Sequence, residues 1–275
     1  MGAFDAFRYD GKRALVVGGA TGMGAATAEL VLDAGADVTV MDFADVTLEG
    51  VKAVHINLSD RSSIDEAVAA IDAPVDALFA CAGVADGTPG LERINFIGHR
   101  YMIDLMLERG LLPAGSAIGM ISSAAGLGWE ANLETLKELL AISDWDDAVA
   151  WVEANGKADY MSMKQAMCAY VASEAFALLK QGVRINAICP GPTDTPLAQA
   201  NAETWLGFGS DFREDLGIEA STPMEQAMPL VYLCSAAAGA ISGQTVISDS
   251  GYISAGITNA YPNAAAAAGF LLGRF

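Results

Sequence analysis

The passage from Ala14-Leu-Val-Val17 into Gly18-Gly-Ala-Thr-Gly22-Met-Gly24, followed by an apolar helical run to Ala34, constrains the fold more than any other stretch. A strand that enters a glycine-rich turn and leaves it as a helix opens a βαβ unit, and such units cross over with one hand to build a parallel sheet. Glycine there allows a tight turn and lets a pyrophosphate approach the backbone, while the first N–H groups of the helix and its dipole favour the anion. The turn therefore predicts a dinucleotide site built on Gly18, Thr21, Gly22, Met23 and Gly24.

The same alternation continues along the chain. Further apolar, largely β-branched runs predict strands over Asp37–Met41, Ala53–Ile56, Ala77–Cys81, Ser116–Ile121, Arg184–Cys189 and Gln244–Ser248. Most are apolar on both faces, as strands are when helices cover both sides of a parallel sheet. Helical patterns fall near Met23–Ala34, Ser63–Ile71, Leu91–Arg109, Asp159–Lys180 and Thr222–Ala236, with a capping-box spacing at Ser63-Ile-Asp-Glu66. The expected fold is α/β: one domain over residues 1–275, a doubly wound (Rossmann) parallel sheet of seven strands flanked by helices.

Two segments interrupt this order. Residues 130–157 carry two amphipathic patterns, Asn132–Leu140 and Asp144–Glu153, which predict a helical insertion as open to a surface role as to subunit contact or substrate access. Residues 196–223, with Trp205, Phe208 and Phe212 among glycines, follow a late strand and predict an apolar lid over the crevice at the strands' carboxyl ends. The apolar tail from Ala260 onward is expected to pack on its own or a neighbouring subunit.

Charge narrows the partners. The formal charge is −19, which disfavours nucleic acid and anionic lipid over most of the surface. No apolar run is long enough to span a membrane and the opening residues lack a secretory core, so a soluble, cytoplasmic chain is expected. Cys81, Cys168, Cys189 and Cys234 have no C-x-x-C spacing and are expected to be buried free thiols. With only His55 and His99, and neither in a ligand cluster, no metal site is expected.

Two patterns carry chemistry. Asp42 ends the second strand 24 residues after Gly18 (42 − 18), where a carboxylate can accept both ribose hydroxyls of an adenosine and repel a 2′-phosphate. Phe43 and Ala44 follow without a basic residue, so NAD is favoured over NADP. Tyr160 and Lys164 are four apart on a helix and share a face, and a cation beside the phenol would favour its ionised form.

Gly18-x-x-x-Gly22-x-Gly24, Cys81-Ala-Gly83, Asn95, Ile121-Ser-Ser123, Tyr160-x-x-x-Lys164 and Pro190-Gly-Pro-Thr-Asp-Thr195 resemble, in order and spacing, the short-chain dehydrogenase/reductases. Cys-Ala-Gly in place of Asn-Ala-Gly and the long insertion before Tyr160 are most similar to the branch typified by bacterial 3α-hydroxysteroid dehydrogenase/carbonyl reductases, which coniferyl alcohol dehydrogenases resemble too. The resemblance implies Tyr160 as acid/base, Lys164 as the residue that lowers the Tyr160 pKa and holds the nicotinamide ribose, Ser123 on the substrate oxygen, and Asn95 supporting a water relay. It further implies cofactor contacts at Asn57 and Leu58 (adenine), at Cys81, Ala82 and Gly83, and at Pro190, Gly191, Thr193 and Thr195 around the carboxamide.

The implied activity is NAD-dependent interconversion of a bulky hydrophobic alcohol, steroid-like or aromatic, with its carbonyl compound, in a homodimer or homotetramer. An NAD-binding regulatory or scaffold protein of the same fold is the alternative. A methyltransferase would not bind NAD, and no Gly-x-Ser-x-Gly elbow supports a serine hydrolase.

Overall fold

Valine and isoleucine runs that are apolar on both sides can be satisfied only by a central sheet with two covers. The computed structural model describes Gly2 and residues 4–274; the ends of the expected domain, Met1 and Phe275, lie outside the described residues. The first half of the chain runs β1 (Arg13–Val17), α1 (Gly22–Asp33), β2 (Asp37–Asp42), β3 (Lys52–His55), α2 (Arg61–Ala69) and β4 (Ala77–Ala80). A π-turn (Arg93–Ile97) then leads into α3 (Gly98–Glu108), β5 (Ala117–Ile121) and a 3-10 segment (Ala124–Glu130). Next come α4 (Leu133–Leu140), α5 (Trp145–Ala154), α6 (Tyr160–Lys180) and β6 (Arg184–Pro190). The chain closes with α7 (Pro196–Gln199), α8 (Ala202–Trp205), α9 (Ser210–Leu216), α10 (Pro223–Cys234), β7 (Thr245–Ser248), α11 (Tyr252–Ile257) and α12 (Ala265–Leu271).

All seven strands are parallel, in the order β3-β2-β1-β4-β5-β6-β7. Strand order reverses between β1 and β4, which opens a crevice at their carboxyl ends. On one face Leu15, Val17, Met41, Leu78, Ala80 and Met120 pack with α2, α3 and α6. On the other, Val16, Val38, Val40 and Phe79 pack with Ala28 and Val31 of α1 and Leu230 and Val231 of α10. The doubly wound reading of the sequence is therefore correct, and the predicted strand ends shift by about one residue.

One local reading is corrected and two are refined. Helix α2 begins at Arg61, not Ser63, because Asp60 caps it by accepting from Ser62 N; the Ser63 hydroxyl instead accepts from Asn57 N at 2.9 Å. The helix expected over Leu91–Arg109 runs unbroken from Leu91 to Glu108 and widens to a π-helix over Arg93–Ile97, where Gly98 N reaches back five residues to Arg93 O. The lid of residues 196–223 is three short helices with two left-handed glycines, Gly209 and Gly217, and not an irregular loop.

The insertion folds back as two helices, α4 and α5. Leu136, Leu139, Trp145, Val149 and Val152 bury their apolar stripe in the same core as α3 and α6, so the insertion is part of that core and not a surface decoration. The tail packs on its own chain, with Ala264, Ala268 and Leu271 buried beside Tyr252 and Phe212. Cys168, Cys189 and Cys234 are buried free thiols, whereas Cys81 keeps partial exposure.

Candidate active site

The glycine turn after β1 is shaped by the strand beside it. Gly18 sits at φ +84°, and a Cβ there would drive into the backbone of Ala82. A Cβ on Gly24 would drive into the Gly18 carbonyl and stand 3.1 Å from Cys81 Cβ. The turn is thus closed down on Cys81-Ala82 with no room for a methyl group, which leaves the N-terminus of α1 open to the crevice.

The crevice holds a cavity of about 430 Å³. Its lining includes Gly18, Thr21, Gly22, Met23, Gly24, Asp42, Phe43, Asn57, Leu58, Cys81, Ala82, Gly83 and Thr195, so thirteen of the sequence-predicted cofactor positions share one wall. No Lys, Arg or His lines it. Asp42 accepts from Ala20 N at 2.8 Å and from Ala44 N at 2.9 Å, one bond to each oxygen, which fixes the carboxylate and leaves a lone pair on each for a ligand. Asn57 is less free than expected: its Oδ1 already accepts from Ser59 N (3.0 Å) and Ser59 Oγ (2.7 Å).

A second cavity, of about 320 Å³, adjoins the first at Met23, which lines both. Ser123, Tyr160, Pro190, Gly191 and Thr193 line this one. The insertion therefore returns Tyr160 to the Ser123 strand end. Trp205 of the lid lies over Tyr160 with ring centroids 5.0 Å apart, and Met161, Phe208 and Leu271 complete an apolar wall. The Thr193 hydroxyl donates to Gly191 O at 3.0 Å, and Thr195 caps α7 by accepting from Ala198 N.

Asn95 and Lys164 line neither cavity and stand behind the wall that separates them. Asn95 is fully buried and clamps Val84 on both sides, accepting from its N–H at 2.8 Å and donating to its carbonyl at 2.9 Å. The π-turn is what aims Asn95 at this loop. Lys164 Nζ donates to Ile121 O at 2.8 Å and lies 5.5 Å from the centre of the Tyr160 ring. A Cβ added to Gly83 would meet Asn95 Oδ1 and Lys164 Nζ, each at 3.4 Å, so all three converge behind the cofactor loop.

The proton affinities depart from expectation. Burial raises the Tyr160 phenol, contact with the Ser123 hydroxyl lowers it and Asp86 raises it, which together leave it at about 12. Burial brings the Lys164 ammonium down from 10.5 to about 8. In this arrangement both groups lean towards their neutral forms.

A lowered lysine makes stability depend on pH. Between about 8 and 10.5 the unfolded chain holds the Lys164 proton and the folded chain does not, so stability is lowest below that window and rises through it. Urea unfolding at about pH 7 and about pH 10 should show the stability of the native protein rising relative to that of Lys164→Met by on the order of 3 kcal/mol, since the buried thiols titrate alike in both. Parallel responses in the two proteins would contradict a depressed Lys164.

Sequence reasoning missed several wall residues: Ser59, Thr88 and Ile94 in the first cavity, Met161 and Leu271 in the second, and Asp86 at its edge. Asp86 Oδ1 accepts from Tyr160 N at 2.7 Å across 74 residues of sequence. Its only sequence signal is an acid shortly after Cys81-Ala-Gly83. Among the described residues no helix is long and apolar enough to cross a membrane, and no cluster of His, Cys, Asp and Glu could hold a metal ion.

Comparison with known proteins agrees with this geometry. A family model described as enoyl-(acyl carrier protein) reductase matches residues 138–253. A coniferyl-alcohol dehydrogenase of a Pseudomonas species is 31% identical over 194 residues, 68% of this chain and 74% of the relative. The 3-alpha-hydroxysteroid dehydrogenase/carbonyl reductase of Comamonas testosteroni is 30% identical over 251 residues, 86% of this chain and 95% of the relative. The crystal structure of the 3-alpha-hydroxysteroid dehydrogenase from Pseudomonas sp. B-0831 complexed with NADH superposes with a TM-score of 0.73 at 26% identity, covering 90% of this chain and 98% of that one.

Proposed function

The chain belongs to the short-chain dehydrogenase/reductase family, an oxidoreductase family of alcohols and carbonyl compounds that uses a nicotinamide dinucleotide, and from that premise we propose that it is a cytoplasmic NAD-dependent dehydrogenase of a bulky, ring-bearing hydrophobic alcohol. The observation that carries this reading is the adjacency of the two cavities: a glycine-lined crevice with a fixed carboxylate and no basic residue shares Met23 with a second cavity lined by Ser123 and Tyr160. The glycine cradle and the Asp42 acceptors suit the dinucleotide. NAD supplies the hydride acceptor in oxidation, and its reduced form the donor in reduction.

The protein's own groups do the rest. Ser123 orients the substrate oxygen, and Tyr160 takes its proton during oxidation and returns one during reduction. Lys164, although brought down to about 8, still holds its proton behind the phenol at neutral pH, and Asn95 holds the Val84 loop at the wall of the first cavity. Trp205, Phe208, Met161 and Leu271 exclude water from the reacting carbon and favour a steroid-like or aromatic skeleton. The coniferyl-alcohol and hydroxysteroid relatives act on ring alcohols by name, and both names fit this wall.

NAD in preference to NADP rests on Asp42. Asp42→Ala removes a charged acceptor from the ribose side and should weaken NAD by about 10- to 100-fold while relaxing discrimination against NADP. Fluorescence titration with both reduced dinucleotides checks it, and an unchanged preference would take Asp42 out of the site.

We further propose a homodimer or homotetramer. Phe176 and Leu179 on α6 are exposed, as are Met228 and Tyr232 on α10 beside Val246 and Ile247 of the edge strand β7. Light scattering reads the assembly directly, and a monomer at micromolar concentration would contradict it.

A further inference from the structure

The second cavity is lined by apolar and hydroxyl side chains, and its charged groups are all acidic. Two charged side chains line it, Asp86 and Asp159, and no Lys, Arg or His does. Asp159 is already committed: its two oxygens accept from Ser162 N (2.8 Å) and Ser162 Oγ (2.6 Å) as the cap of α6. Asp86 is not. Tyr160 N holds Oδ1 at 2.7 Å, which fixes the carboxylate, and Oδ2 makes no hydrogen bond to the described residues.

This puts an exposed carboxylate at the edge of the cavity, held by the backbone of the residue whose side chain lines it. A carboxylate there would meet Asp86 with no counter-ion in the wall, whereas an ammonium or a neutral donor would find an acceptor. The net charge of −19 acts in the same direction from farther away and is screened by salt.

We propose that Asp86 selects substrates by charge, so that the cavity takes ring alcohols that are neutral or carry a cationic group remote from the hydroxyl, and turns away those that carry a carboxylate there. The inference rests on the dehydrogenase reading above and adds to it a selecting residue outside the family's catalytic set.

Three matched probes test it: 4-aminocyclohexanol, 4-methylcyclohexanol and 4-hydroxycyclohexanecarboxylate, each assayed with NAD and NADP for kcat/KM, or for Ki against the best-oxidised alcohol. The native enzyme should rank them cation, neutral, anion, with about threefold between successive members at low salt. Asp86→Asn keeps an acceptor for Tyr160 N and removes the charge, so the cation-to-anion ratio should fall by about tenfold. Asp86→Ser serves the same purpose if the Asn variant does not fold.

Equal efficiencies for the three probes would overturn the inference and leave the dehydrogenase reading standing. A ratio that collapses in high salt yet survives both Asp86 variants would also overturn it, because the protein's overall field would then be the selector. Oxidation of none of the three and inhibition by none would also overturn the inference, while turnover of the best-oxidised alcohol would leave the dehydrogenase reading standing.

Discussion

Tyr160→Phe should lower alcohol-dependent turnover by about 10²–10⁴-fold, the range a positioned acid/base contributes, while dinucleotide binding is kept. Phenylalanine preserves the ring that Trp205 covers at 5.0 Å, so the cavity stays filled and closed to water. What disappears is the phenol hydroxyl that shares the second cavity with Ser123. Steady-state rates with a ring alcohol, together with fluorescence titration by NADH, separate the two effects. Normal turnover in this variant would remove Tyr160 from the chemistry, and lost binding would mean that the ring is needed to shape the dinucleotide site.

The second large effect belongs to Gly24→Ala. The added methyl has nowhere to go, because the Gly18 carbonyl occupies its position and Cys81 Cβ stands behind. Either the turn lifts off Cys81-Ala82 or α1 moves outward, and both spoil the row of N–H groups that faces a pyrophosphate. Overpacking of this kind costs about 1–3 kcal/mol of stability, and dinucleotide affinity should fall by at least about 100-fold. Urea midpoints and NADH titration measure the two losses. A folded variant that binds NADH normally would show that the turn is not where the dinucleotide lies.

The architecture was legible because its signals are local. Apolar β-branched runs and glycine turns name the strands and the crevice, and Leu136, Leu139, Val149 and Val152 announce the insertion's helices by their spacing. Where those helices go was not legible, since the partners of an amphipathic stripe lie in α3 and α6 and not in the stripe itself. The π-turn escaped notice for a related reason. Leu91–Arg109 has an unbroken helical period, and only the two bonds from Asn95 to Val84, on another segment, reveal why the backbone takes an extra residue there.

Within the site, residue identities could be read and their proton affinities could not. Tyr160 and Lys164 are neighbours by spacing alone, yet burial outweighs their mutual effect and moves each towards its neutral form. Burial is a property of Trp205, Ser123 and the strand ends that close around the pair, none of which lies near it in sequence. Asp86 is the same case in another form: an acid in a loop becomes a wall of the substrate cavity only when α6 arrives to bond it.

The most direct test of the central claim is to follow reduced nicotinamide while the purified protein is offered NAD and a panel of secondary ring alcohols, with NADH binding titrated on the same sample. The account predicts NADH formation that depends on both the alcohol and Tyr160. NADH binding without oxidation of any alcohol, or reduction of any matching ketone, would contradict it and would identify the protein as a dinucleotide-binding regulator built on an enzyme's fold.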